Sequence, residues 1–205
     1  MSGLDLESVE TVASTELYSP AAVYGIMGLT TLVWLGLIVL SVWLGLRLKG
    51  GEQGRRRLRD LAGEQQILVG LVALSLMCAQ ALGAADAYVQ INEVYTSSSE
   101  YFQYISWARL LGISHAHIFG YTVLYGLLSW FLSMTEASSF TRVTCTAVMM
   151  WTALLDVVCW WGVKIFGEAF HLLMLFSGAL LGFASLFCIF FIVQAIFAGP
   201  AQARD

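Results

Sequence analysis

Apolar residues collect into five runs, at about 22–46, 66–88, 113–132, 143–163 and 169–198. Each is long enough to cross a bilayer, which takes about 20 residues in a helix. The least apolar is 66–88, which carries Gln66, Gln80 and Asp86, yet its centre from 67 to 82 is apolar enough to count as a span. The only prolines, Pro20 and Pro200, flank the apolar region, so the helices between them are uninterrupted. The pattern predicts an all-α integral membrane protein: a bundle of five transmembrane helices over 22–198, an exposed acidic segment at 1–21 and a short tail at 199–205.

The intervals between the runs orient the bundle. Arg47, Lys49, Arg55, Arg56, Arg57 and Arg59 crowd into the first connection, and basic residues are retained on the cytoplasmic side. The amino terminus is then outside and the carboxyl terminus cytoplasmic, with Arg142 on the inner side as the same rule expects. The acidic first twenty residues lack the basic stretch of a cleaved signal peptide, so the first span is expected to serve as an uncleaved signal in a bacterial-type cytoplasmic membrane. Between the second and third runs, Tyr101, Phe102, Tyr104 and Trp107 suit the headgroup zone.

Composition agrees with this class and removes others. The chain is 59% hydrophobic and 12% charged with mean hydropathy +0.76, against about a quarter charged in soluble domains. The partner expected first is the lipid bilayer; nothing points to nucleic acid. Cys78, Cys145, Cys159 and Cys188 each sit alone in an apolar run without a C-x-x-C, which argues against covalent haem, iron–sulfur clusters and disulfides. Nucleotide-binding and hydrolase motifs are absent.

The candidate chemistry lies in three histidines. His115 is followed by Thr122, Gly126 and Ser129, and His171 by Gly178, Gly182 and Ser185, at identical offsets that fall on one helix face. In the expected topology the third and fifth spans are parallel, so His115 and His171 lie at similar depth near the outer face. Two imidazoles on neighbouring helices suit the axial faces of a b-type haem, and small residues below them leave room for the macrocycle. The same small strips also suit plain helix packing. His117, two positions from His115 and on another face, is an alternative ligand with Tyr121 and Tyr125 beneath it, or part of a second cofactor or quinone site. Asp156 is a carboxylate inside the fourth span that needs a partner or a proton; the candidates are a histidine ring N–H or Lys164. Asp86 lies nearer the surface. Arg109 and Lys164, at the outer rim, suit haem propionates or headgroups, and Trp107, Trp160 and Trp161 suit an aromatic belt.

Three functions follow as expectations. The first is a membrane electron-transfer subunit of a respiratory-type complex, passing electrons between quinone and an outer-side partner such as a cytochrome; in general organisation the chain resembles the anchor subunits of respiratory oxidoreductases. The second is a copper, zinc or iron site made by His115, His117 and His171 with Asp86 or Asp156. The third is a cofactor-free structural or assembly subunit of a larger membrane complex.

Overall fold

The computed structural model describes residues 19–48, 57–93, 95 and 97–197. The acidic residues of 1–18, the basic residues Lys49, Arg55 and Arg56, and the tail 199–205 lie outside the described residues. Those described form α-helices and no strand: α1 (Pro20–Arg47), α2 (Gly63–Glu93), α3 (Ser98–Tyr104), α4 (Trp107–Ser133), α5 (Ser139–Phe166) and α6 (Ala169–Phe197), with a 3-10 turn at Leu58–Asp60.

Helix starts follow local chemistry. Ser19, Ser97, Ser106 and Ser138 each accept the N–H three residues on, satisfying a donor that has no partner within the helix. Ser106 starts α4 six residues before the apolar run begins, at Trp107 rather than 113. The stretch read as an interfacial connection is thus divided between the end of α2, the short α3 and the first turns of α4. Gly167, at φ 73°, closes α5 in a conformation that side chains beyond glycine rarely adopt, and α6 begins two residues later.

Among the described residues four helices are long and apolar enough to cross a membrane: α1, α2 up to Asp86, α5 and α6. The remaining long helix, α4, has the length, but His115, His117, Tyr121 and Tyr125 temper its apolar character. Helix α5 is the hub. Its apolar residues are concentrated on one side, and it packs against α6, α1, α4 and α3. In α1, α2 and α6 apolar residues surround the axis, as expected of helices facing lipid.

The bundle has two chemically distinct ends. Arg47, Arg57, Arg59 and Arg142 mark a basic end, where the segment around Leu58 plugs the bundle. Leu58 is fully buried, its N–H donates to Met134 O at 3.0 Å, and Arg57 and Arg59 reach Glu136 at 3.3 and 3.4 Å. The histidines mark the other end.

Two glycines allow helices to touch. A Cβ on Gly162 would penetrate the ring of Phe170, and one on Gly45 would meet the Val143 side chain. Gly162→Ala should therefore lower stability by about 1–3 kcal/mol, the usual cost of overpacking a core. Gly83→Ala, at a site open on all sides, should cause no loss. Denaturant unfolding of the two variants in detergent micelles checks this contrast.

Candidate functional site

At the histidine end, three helices meet on one carboxylate. Asp156 of α5 is 7% exposed. Tyr121 of α4 donates its hydroxyl to Oδ2 at 3.2 Å, and Ser177 of α6 donates to Oδ1 at 2.9 Å. The Ser177 hydroxyl also lies 2.8 Å from Met174 O on its own helix, so its one hydrogen is shared. A buried carboxylate without such donors would be costly, and here each oxygen has one.

Both oxygens of Asp156 are thus met by hydroxyls. Lys164 instead donates to Gln103 O and, at 2.8 Å, to Ile105 O, with its ammonium 5.2 Å from the Trp107 ring. Those carbonyls close the C-terminal end of α3, where a cation opposes the helix dipole. Lys164 fastens the α3–α4 junction to α5.

The histidines divide by face. His117 stands edge-on to Trp160, with ring centroids 4.8 Å apart, and to Tyr121 at 5.6 Å. Its Nδ1 is 2.8 Å from Ile113 O. A carbonyl only accepts, so this contact favours the neutral tautomer that carries its proton on Nδ1 and keeps a lone pair on Nε2. His115 and His117 are both exposed, on different faces of α4; below His115 lie exposed Thr122 and half-buried Gly126, where an added Cβ would meet nothing. His171 is half-buried at the start of α6.

The Asp156 contacts fix the relative register of α4 and α6. Tyr121 follows His115 by six residues, and Ser177 follows His171 by six. Both helices run antiparallel to α5, so the two histidines stand at comparable height above the carboxylate. At about 100° per residue, six residues turn each histidine by about 120° in the same sense from the side chain that faces Asp156. On α6, Gly178 is exposed, Gly182 half-buried and Ser185 buried, where it accepts from Gln80 of α2 at 3.5 Å. On α4 the strip grades in the same way, from exposed His115 and Thr122 to half-buried Gly126 and Ser129, whose hydroxyl is enclosed. His117 lies about 40° from Tyr121 in the opposite sense, where its ring meets Trp160 of α5.

The remaining candidates are placed as follows. Gly126 and Gly182 both have open space at the Cβ position. Arg109 is exposed in the first turn of α4, and Asp86 is exposed toward the end of α2. Among the described residues no three His, Cys, Asp or Glu side chains converge, so the histidine–carboxylate set for copper, zinc or iron is not assembled. Trp160 is no belt residue: it is 7% exposed and stacks on Phe102 at 5.5 Å, while Trp161 donates to Ser114 at 2.9 Å. Trp107, 54% exposed, suits the belt position.

A second polar group lies further along the bundle. Gln80 donates to Tyr125 at 3.3 Å as well as to Ser185, joining α2 to α4 and α6. Ser177 and Gln80 had no assigned part in the sequence reading. The available signal was a hydroxyl at the same offset, six, below each of His115 and His171.

Replacing Asp156 by Ala should strand the Tyr121 hydroxyl, whereas Ser177 can fall back on Met174 O. The expected loss is about 1–3 kcal/mol, and Tyr121→Phe alone should cost about 1 kcal/mol. In the double variant the two losses should fall short of additivity by about 0.5 kcal/mol or more, read from unfolding in micelles.

No curated protein and no solved structure matches the chain. One family does, described as a transmembrane helical domain, over residues 87–203, which include α3 to α6 and the whole Asp156 cluster. The match covers more than half of the 205 residues, and the chain belongs to this Aq_1264_TM family of transmembrane helical domains.

Proposed function

We propose that the protein is a membrane electron-transfer subunit of a respiratory-type complex, with His117 and His171 as axial ligands of a b-type haem at the histidine end. The observation that carries this reading is the state of His117. Its Nδ1 lies 2.8 Å from Ile113 O and its ring stands edge-on to Trp160 and Tyr121, a setting that favours the neutral tautomer with its lone pair on Nε2. Ligand imidazoles are set in this way, by a hydrogen bond to the other ring nitrogen.

The residues present fit the group. On α6, Gly182 has open space and Gly178 has only Asp156 Oδ1, 3.9 Å away, near its Cβ position, so a flat macrocycle could lie against that backbone. The Asp156 clamp would hold the two ligand helices in register. Bound haem would supply one-electron transfer between ferric and ferrous iron, linking quinone in the bilayer to a partner at the outer face. Arg109, exposed at the start of α4, is the cation nearest in sequence to the ligand turn and suits a propionate. His115, on a different face of α4, takes no part as a ligand.

The same reading takes all five long helices as spans, with the amino terminus outside and the carboxyl terminus cytoplasmic. Helix α4 is bonded to α5 through Trp161 and Ser114 near one end, and Phe131 and Leu132 are buried at its other end, so it crosses wherever α5 crosses. The six basic residues of the first connection favour the cytoplasm for the end they mark.

Dithionite-reduced protein purified from membranes should show a b-type α band. That band should be lost in His117→Ala and His171→Ala, regained by His117→Ala with added imidazole, and retained in His115→Ala. A haem-free protein, or loss confined to His115→Ala, overturns the ligand assignment. Separately, a topology reporter fused after Arg59 should read cytoplasmic; a periplasmic signal reverses the orientation.

A further inference from the structure

The basic end holds a feature that the proposed haem site does not use. A cleft of about 520 Å³ lies between α1, α4 and α5, lined by Ser41, Ser133, Arg142, Thr146, Met150 and Trp151 among others. Its walls are mainly apolar, and the indole N–H of Trp151 donates to Ser41 at 2.8 Å across it, tying α1 to α5. Arg142 sits in the first turn of α5, with its guanidinium held by Ala137 O and, at 3.0 Å, by the Ser139 hydroxyl. The result is an apolar slot of ligand-binding size with an oriented guanidinium in its lining at the level where the spans end.

We infer that this cleft binds one anionic phospholipid, the phosphate toward Arg142 and an acyl chain along Met150 and Trp151. The choice of occupant rests on charge complementarity. Arg47 ends α1 at the same end of the bundle, its guanidinium 4.3 Å from the Trp43 ring, and Lys49, Arg55 and Arg56 follow in the sequence, whereas Arg57 and Arg59 are paired with Glu136. Cations near the bilayer surface attract anionic headgroups, at about 1 kcal/mol each. A guanidinium also recognises phosphate oxygens in a paired, directional way that a neutral headgroup does not reward. The inference stands independently of the haem, since no residue is shared between the cleft and the histidine end.

Native mass spectrometry of the delipidated full chain in detergent, titrated with phosphatidylglycerol, phosphatidylcholine or inorganic phosphate, tests it. One phosphatidylglycerol should be retained, with apparent affinity for phosphatidylcholine weaker by about fivefold or more, the ratio that one favourable charge contact implies. Arg142→Gln should abolish that preference. Because Arg142 also holds the turn before α5, Thr146→Phe, which narrows the cleft without altering charge, should independently reduce retention of both lipids. Equal retention of the two lipids, equal binding of free phosphate, or a Thr146→Phe protein of unchanged melting temperature that keeps its lipid would each overturn the assignment.

Discussion

The carboxylate of Asp156 is the constraint on which the histidine end depends. Within hydrocarbon there is no water to complete a polar group, so a buried carboxylate must find donors on neighbouring helices. It finds them on the helices before and after its own, one hydroxyl to each oxygen. Three consecutive helices are thereby pinned at one level. Because Tyr121 and Ser177 occupy equivalent turns of two parallel helices, the same contacts set the heights of the histidines above them.

Around that point the packing is tight and largely aromatic. Trp160 is held between Phe102 of α3 and His117 of α4. Lys164, one turn further along α5, secures the carbonyls where α3 ends. The connection between α2 and α4 is therefore part of the bundle's structure, and a cation that the sequence offered as a haem or carboxylate partner is occupied in holding it. The contacts are short and directional, and most involve α5, the helix with the most buried side chains.

Much of this was legible in the sequence, and the parts that were not share a cause. Runs of apolar residues located the long helices to within a few residues, because a bilayer sets both length and composition. They could not give the start of α4, which is decided by the Ser106 cap rather than by hydropathy. The importance of Asp156 followed from its cost in a span, but its partners are hydroxyls on two other helices, and no sequence spacing reveals which residues will face each other. The histidine repeat was real, yet periodicity records only angles within one helix. Whether two equal angles converge or diverge depends on where the helices stand around α5. Tryptophans were assigned to a lipid-facing belt because that is their usual place in spans; Trp160 departs from it because Phe102 and His117 enclose it.

The attachment of the outlying helices follows from the same physics. Side chains of α1 and α2 are mostly exposed; 6% and 11% of their most apolar stretches are buried. Between helices in lipid, apolar area provides no net drive, because the tails are as apolar as the side chains they would release. Attachment must come from close packing and from polar bonds. Helix α1 has both, at Gly45 against Val143 and at Ser41 with Trp151. Helix α2 has Gln80, bonded to Tyr125 and Ser185. The glutamine that made the second run look the least suited to crossing a membrane is, on this argument, what holds that helix to the bundle.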